Sequence, residues 1–518
     1  MYNRRFTPEI ISALAENEIF VFGSSLKGAH GGGAARIARK CFGAVWGQGV
    51  GLQGQSYAIP TMQGGVATIR PYVDEFIAFA TRNLELQFLV TKIGCGIAGF
   101  REEEIAPLFD AALDVENIIL PLSFVKIIVA ARSERIVKDK IRGSLMAGAA
   151  GDALGYEVEF LSRRAILARY GERGITRFAL HHGKALISDD TQMTLFTANG
   201  LINSCYLHVE PQNAVTQAYI EWYHTQGGKT NGINNCWIGE IKALHSLRAP
   251  GNTCMSALGA ISRGAEPCNN SKGCGGVMRV APVGLFAASQ LVACGRSWRD
   301  GDVFTLGAEC AKITHKHPLG WLPAGLLAHI IYEIVERSLY KEIDRMEFEH
   351  IVGTAVHYLI VFSDSEDRFQ LQTMIFRALE LARQDISDVE AIRELGEGWT
   401  GDEALAIAIY CASRHFASVE DAIIASVNHD GDSDSTGSIC GNIMGAIYGY
   451  EHIKNRNLFC PEGCNLEATL ELSDITLALA DDLATGCVIS EYDPIDTPEK
   501  HQWYERYSCA RPAGIGGR

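Results

Sequence analysis

Up to about Phe124 the chain alternates short apolar runs with longer segments whose apolar positions recur every three to four residues. Ile19–Phe22, Ser56–Ile59, Phe88–Thr91 and Ile118–Leu120 are of the first kind, rich in β-branched or aromatic residues. Ala34–Cys41, Tyr72–Asn83 and Glu102–Leu113 are of the second. The first pattern predicts strands and the second helices, and their alternation predicts an α/β layer with a mixed, mostly parallel sheet. After Arg132 the rhythm changes. The polar, basic stretch Arg132–Lys140 leads into long helical segments with few alternating runs, so the remainder is expected to be nearly all helical. The boundary is placed near residue 135, giving a first domain of 1–135 and a second of 136–518. No repeat of solenoid length runs through the chain, and the glycine-containing tail after Ala510 is expected to fray.

Two helical segments of the second half share a feature. Gly143, Ala147, Gly151 and Gly155 recur every four residues, as do Gly437, Gly441, Gly445 and Gly449. A spacing of four puts small residues on one helical face, where two backbones can approach closely. Glycine costs about 1 kcal/mol against alanine inside a helix, so several in register imply a packing role.

Composition narrows the picture. At 518 residues the chain is too long for one core, and 47% hydrophobic with 21% charged residues is an ordinary soluble balance. The formal charge of −15 argues against duplex nucleic acid or an anionic membrane as the main partner, while leaving room for a small anion in a local pocket. The fifteen cysteines include no CxxC pair, and Cys460 and Cys464 have no histidine or second pair at zinc spacing. They read as reduced thiols of a cytoplasmic protein. Met1–Ser12 has no signal-peptide apolar run. The most apolar later stretch, Trp321–Val335, is interrupted by His329 and Glu333, is too short to span a bilayer, and reads as a buried helix.

Three segments carry the candidate chemistry: Gly151-Asp-Ala-Leu-Gly-Tyr-Glu-Val-Glu159, Ser188-Asp-Asp-Thr-Gln-Met193 and Asp430-Gly-Asp-Ser-Asp-Ser-Thr436. Each sets carboxylates among hydroxyls and glycines beside an otherwise apolar helix. Buried carboxylates repel one another unless a cation neutralises them, and hard oxygen ligands suit Mg²⁺, Mn²⁺ or Ca²⁺. Plainer readings compete. Ser188-Asp189 before a helical run has the form of a simple N-cap. Asp430–Thr436 superficially resembles a calcium loop, but counting from Asp430 position six is Ser435 rather than Gly and position twelve is Gly441 rather than Glu.

Together with Ser271-Lys-Gly-Cys-Gly-Gly-Val-Met-Arg-Val-Ala-Pro282 and Thr314-His-Lys-His-Pro318, these segments resemble in order and separation the ADP-ribosylglycohydrolase family. The likeness runs from about Ile141 nearly to the end. The Ser-Asp-Asp-Thr and Asp-Ser-Asp-Ser-Thr-Gly versions are most similar to the branch acting on ADP-ribosyl-arginine, including the dinitrogenase reductase-activating type. The resemblance implies an all-α bundle with a binuclear centre of two Mg²⁺, or Mn²⁺. Its implied ligands are Ser188, Asp189, Asp190, Asp432, Asp434 and Ser435, with Glu159 beside them. Ser435 stands where the family often has Thr. Gly273, Gly275 and Gly276 match a phosphate-binding loop, with Cys274 where Asn is common. His315 matches a histidine near the diphosphate, though a satisfied core histidine beside His317 is an equal account.

The implied reaction is hydrolysis of an N-glycosidic bond to ADP-ribose through an oxocarbenium-like state, with paired metals holding the ribose hydroxyls and activating a water. Glu159 or Asp190 is the candidate catalytic carboxylate, and the sequence leaves the choice open.

In the first domain, Gly23-Ser-Ser-Leu-Lys-Gly-Ala-His-Gly-Gly-Gly-Ala-Ala-Arg36 follows a predicted strand and opens a predicted helix. Ala29 after Gly28 rules out a Walker loop. A second loop, Ile93-Gly-Cys-Gly-Ile-Ala-Gly-Phe100, has the same context, and two such loops can grip a diphosphate from both sides. The alternative is a pair of glycine-rich turns without a ligand. With Ser56–Thr61, these loops resemble a macro-like domain. The implied ADP-ribose contacts are Gly31, Gly32, Gly33, Gly94, Gly96, Ile97, Gly99 and Phe100. Ser24 and Ser25 stand where catalytic macrodomains often carry asparagine, which favours binding over catalysis.

The expectation is a protein of ADP-ribose metabolism whose partners are ADP-ribose or ADP-ribosylated protein, with an ADP-ribosyltransferase or toxin that it counteracts as a further candidate. Two rivals stand: a hydrolase of ADP-ribosylated nucleic acid or free ADP-ribose derivatives, and an immunity-type protein that occludes an ADP-ribosylating toxin.

Overall fold

The computed structural model describes residues 4–228, 236–299, 301–362, 365–486 and 497–508. The tail after Ala510 lies outside them. The chain forms two compact units, Met1–Ser133 and Glu134–Arg518. The division falls inside a helix, Leu122–Tyr156, rather than in a loop.

The first unit holds a five-stranded sheet in the order β2-β3-β1-β4-β5. Its strands are β1 (Glu18–Ser24), β2 (Gly51–Gln53), β3 (Ser56–Pro60), β4 (Gln87–Val90) and β5 (Ile118–Ile119). Strand β1 pairs parallel with β3 and β4, and β4 parallel with β5, while β2 runs antiparallel to β3. On β1, Ile19 and Val21 join a core with Ile59, Phe76 and Val90, whereas Phe20 and Phe22 join another with Ala38 and Phe42. Both faces are covered, which is why the run is apolar at successive positions.

Two elements depart from the expected pattern. Strand β2 has only three residues and begins at Gly51, so no period-two signal marks it. The expected single helix Glu102–Leu113 is instead a short α-turn, Glu102–Ile105, followed by a 3₁₀ segment, Ala106–Asp114. Pro107 has no N–H to continue the α-helical ladder.

The second unit is helical. Its two glycine stripes face each other in antiparallel register. A Cβ on Gly143 would lie 2.4 Å from Gly445 O, one on Gly151 2.1 Å from Gly437 O, and one on Gly155 2.2 Å from Ser433 O. From the other side, a Cβ on Gly441 would lie 2.1 Å from Ala147 O. The helices Leu122–Tyr156 and Ser433–Tyr448 therefore touch backbone to backbone, and any side chain at these positions would part them. Gly449 ends the stripe: with φ +83° it closes the second helix, and a Cβ on Gly143 would lie 2.8 Å from its Cα. The antiparallel register sets the C-terminal end of the first helix, followed by Glu159, beside the N-terminal end of the second, with Asp432 and Asp434.

Two segments, Cys274–Cys294 and Pro318–Ser338, are long and apolar enough to cross a membrane by length and composition; 78% and 83% of their most apolar windows are buried inside the fold. Trp321–Val335 lies within the second, a core helix of the bundle.

Candidate active site

The carboxylate segments arrive at one cavity by three routes. Asp189 and Asp190 open the helix Asp189–Tyr206, whose N-cap is Ser188. Asp432 is the N-cap of Ser433–Tyr448, and its side chain accepts from Ser435 N at 3.2 Å. Glu159 stands in the turn after the Leu122–Tyr156 helix. Helix N-termini offer unsatisfied N–H groups and a positive dipole end, which favour carboxylates there. The cavity has a volume of about 470 Å³ and is lined by Glu159, Asp189, Asp190, Asp432, Asp434 and Ser435 on its acidic side.

Asp152, from the same motif as Glu159, serves the scaffold instead. Completely buried, it accepts from Ser188 N at 3.0 Å and Thr191 N at 3.0 Å, and from the Thr191 hydroxyl. It thereby ties the start of the Asp189–Tyr206 helix to the glycine-striped helix. Ser188 fills the N-cap role, its Oγ accepting from Asp190 N at 3.1 Å, and it does not line the cavity. Thr436 likewise turns away, its hydroxyl bonded to Ser426 O and Asp432 O, and Ser435 is the hydroxyl that faces the cavity.

Crowding shows in the electrostatics. Burial, then Asp432, Asp189 and Asp152, push Glu159 up to about 9. Burial is the largest cause at Asp189 also, which rises to about 8. Asp190 is held well above the carboxylate range by burial and by Asp152, Asp189 and Asp432, and Asp434 by burial and by Asp190, Asp432 and Glu159. In each of these groups the charged form is disfavoured, and positive charge entering the cavity would oppose the shift.

No three His, Cys, Asp or Glu side chains among the described residues form a closed metal-ligand cluster. Two oxygens nevertheless stand ready for a partner: Asp190 Oδ2 and Glu159 Oε2 are buried without a hydrogen bond among the described residues. Like-charged groups spread apart until a counter-charge draws them in, so an open arrangement with orphaned oxygens and an all-oxygen donor set fits hard divalent cations.

A further part of the wall is the turn Gly273–Gly275, which bridges to Thr400, with Cys274 N donating to Trp399 O at 3.1 Å. Gly273, Gly275 and His315 line the cavity; Gly276 does not. A Cβ on Gly276 would lie 2.2 Å from Gly320 O, so this glycine serves helix packing. Cys274 Sγ donates to Asp432 Oδ2 at 2.8 Å, and burial together with Asp432 keeps the thiol protonated.

Several lining residues had no part in the sequence motifs: Ala249–Cys254, Phe160 and Trp399. Met278 stood in a motif but was given no role there. Phe160 and Trp399 stack with ring centroids 6.3 Å apart, 72% and 40% exposed. A tryptophan set in Gly396-Glu-Gly-Trp-Thr-Gly401 was the one available signal, since such a loop seldom buries a large ring.

The first unit has a cavity of its own, of about 390 Å³. Gly31, Gly32, Gly33, Gly94, Gly96 and Ile97 line it, with Ser24, Ser25, Thr61 and Lys92. It lies beyond the carboxyl ends of β1, β3 and β4 and beside the N-terminus of the helix Gly33–Cys41. Gly99 and Phe100 stay outside the lining. Gly99 N donates to Gly96 O at 3.0 Å and Phe100 N to Gly94 O at 3.1 Å, so both shape the turn. A Cβ on Gly94 would meet the Phe100 ring at 3.3 Å.

Comparison with known proteins bears on the second unit. The family model for ADP-ribosylglycohydrolase matches residues 133–490. ADP-ribosylarginine hydrolase Tri1 of Serratia proteamaculans is 25% identical over 324 residues, 61% of this chain and 73% of that protein. The ADP-ribosyl-[dinitrogen reductase] glycohydrolase of Rhodospirillum rubrum is 23% identical over 323 residues, 61% of this chain and 88% of that protein. A solved chain titled ADP-ribosylglycohydrolase-related protein complex covers 68% of this chain and 100% of its own length at 20% identity, with a TM-score of 0.47. The family match takes in well over half the chain and every one of the three carboxylate segments, and the chain belongs to the ADP-ribosylglycohydrolase family, whose members are hydrolases acting on ADP-ribose glycosidic bonds.

Proposed function

We propose that the second unit removes ADP-ribose from arginine side chains of modified proteins, at two divalent cations, Mg²⁺ or Mn²⁺, held by Asp189, Asp190, Asp432, Asp434 and Ser435, with Ser188 at their edge. The observation that carries this reading is the gathering of five carboxylates and two orphaned acidic oxygens, Asp190 Oδ2 and Glu159 Oε2, on one cavity wall. Relatives named for ADP-ribosylarginine and for ADP-ribosyl-dinitrogen reductase support the arginine linkage.

When bound, the cations would supply Lewis acidity toward the ribose hydroxyls and the attacking water. The chain's own groups do the rest. Water oxygen bonds to the ribose C1 as the C1–N bond breaks, and the proton it loses passes to a carboxylate and on to the departing guanidine. Glu159 and Asp190 are the candidates for that carboxylate, because each has an oxygen free to accept. Gly273 and Gly275 allow the diphosphate to approach backbone N–H groups closely. Phe160 and Trp399 at the mouth offer flat rings to the planar guanidinium of the acceptor.

The test is hydrolysis of matched peptides ADP-ribosylated on arginine or serine, with released ADP-ribose measured. Arginine peptides are expected to be cleaved far faster; equal or reversed rates would overturn the arginine assignment, and metal-independent cleavage would overturn the cation centre.

The first unit is proposed separately as a macro-like binder of ADP-ribose, on the strength of its cavity between two glycine loops beside a helix N-terminus. Together the units would recognise and remove ADP-ribose in the cytoplasm.

A further inference from the structure

Behind the glycine turn of the second unit lies a cation that the reaction above does not use. Arg279 is completely buried. Its Nη1 donates to the sulfurs of Met193 and Cys254, each at 3.3 Å. Its Nη2 donates to Thr314 Oγ1 at 2.6 Å and to Cys310 O at 3.5 Å. The guanidinium carbon sits 4.3 Å from the centroid of the Tyr219 ring. None of these partners is an acid, and Nε has no hydrogen bond among the described residues. A buried cation held by sulfurs, a hydroxyl and a ring is an expensive arrangement, so stability alone does not account for it.

Thr314 connects it to the cavity. A guanidinium can only donate, so Thr314 Oγ1 accepts from Arg279 and keeps its own proton for another partner. His315 Nδ1 stands 2.9 Å from that oxygen and Ala311 O stands 3.5 Å away, so the proton goes to the ring. With Nδ1 accepting, the proton of the neutral imidazole is assigned to Nε2. Nε2 faces the turn: a Cβ on Gly273 would lie 3.2 Å from it, and one on Gly275 3.4 Å. Burial, followed by Arg279, keeps the ring neutral by lowering its pKa to about 3.

We propose that Arg279 and Thr314 are positioning residues that lock His315 as a neutral Nε2–H donor, aimed past the Gly273–Gly275 turn at the diphosphate of the substrate. This rests on the reading of that turn as the diphosphate wall. Without the lock the ring is able to present a lone pair, which repels an anion. With it, the ring presents only a donor, and the guanidinium behind adds positive potential in a place that water does not screen.

Nitrogen-15 NMR of the full-length protein with labelled histidine reads the tautomer, His315 being identified by the signals lost in His315→Asn. The wild type is expected to show Nε2 protonated and Nδ1 bare. Thr314→Ser keeps that pattern; Thr314→Val preserves the shape, removes the donor, and loses it. Adding ADP-ribose with Mg²⁺ shifts the His315 Nε2 signal, and inorganic pyrophosphate shifts it in the same direction. In hydrolysis, Thr314→Val raises KM about tenfold, the loss of one hydrogen bond to a charged group, lowers kcat far less, and Thr314→Ser restores the wild-type value. A proton on Nδ1 in the wild type, or a pattern indifferent to Thr314→Val, overturns the lock. A locked ring whose Nε2 signal ignores both ADP-ribose and pyrophosphate overturns the diphosphate reading of the turn and, with it, the aim assigned to the donor.

Discussion

The two cavities of this chain are built in opposite ways, and on the proposed reading both would hold an anionic nucleotide. In the second unit the wall is made of side-chain carboxylates raised far above their ordinary range, and on the proposed reading divalent cations would complete it. In the first unit the wall is made of glycines, a helix N-terminus and the ends of parallel strands, and the donors it would offer are backbone N–H groups that need no cation. A site built on charge depends on pH and metal. A site built on backbone depends on the absence of side chains.

The largest expected effect separates the two directly. Asp434→Ala should lower kcat/KM by on the order of a hundredfold or more, since even outer partners of a metal site cost 10–100-fold, and chelation should do the same to the wild type. Release of ADP-ribose from an arginine-modified peptide measures it, and undiminished turnover in either case would remove the cations from the reaction.

Next comes the backbone site. A Cβ on Gly96 meets nothing within 4 Å and its φ is not in the left-handed region, so Gly96→Phe should fold normally and fill the cavity. In EDTA, titration calorimetry of the full chain should show residual ADP-ribose binding that Gly96→Phe weakens by about tenfold or more and Asp434→Ala leaves alone. If both variants behave alike, the first unit does not bind the nucleotide.

A third effect concerns stability. Glu159 rises from an ordinary 4.5 to about 9, and Asp189 from 3.8 to about 8. The unfolded chain gives up these protons at lower pH than the folded one. The folded state of the metal-free protein is therefore favoured below about pH 4 and loses stability as pH rises toward 8 or 9. Calorimetry in EDTA should show the melting temperature of the second unit falling between pH 5 and pH 8, with Mg²⁺ cancelling the slope. A flat profile in EDTA would mean that the carboxylates are neutralised from within the protein.

The smallest effect tests a double role. Ser188→Ala removes the N-cap of the Asp189–Tyr206 helix and should cost about 1 kcal/mol in denaturant unfolding. Its turnover should fall less than that of Asp434→Ala, and a fall as large would make Ser188 a principal ligand rather than an edge one.

Much of the helix and strand pattern was legible because it follows from residue types close in sequence. The apolar runs at Ile19–Phe22 and Phe88–Thr91 and the stripes of Gly143 and Gly437 needed no partner to be seen. Strand β2 escaped because three residues opening on a glycine carry no period, and the Glu102–Leu113 helix broke because Pro107 interrupts its ladder. The cavity wall was legible where it carries carboxylates and in the glycine turn with His315. Cys254, Phe160 and Trp399 come from separate segments with no shared spacing, and apart from the glycine-rich setting of Trp399 nothing local distinguishes them from core or surface residues.

What the sequence determined by itself was the kind of element in each region, the small-residue faces that must touch, and the stretches dense in carboxylate. What only the tertiary structure decided was which acidic and hydroxyl groups face the cavity. Asp152 and Glu159 share one motif, as do Ser435 and Thr436, yet one of each pair is consumed by backbone hydrogen bonds and the other lines the site. Asp152 and Glu159 part because the first lies inside its helix and the second in the turn after it. For Ser435 and Thr436 the reason is rotational: neighbouring positions on a helix point about 100° apart, so the face that meets the cavity is chosen by how the helix is turned. That turn is set by the backbone contact of Gly151 with Gly437 and Gly155 with Ser433, a constraint between residues nearly three hundred positions apart.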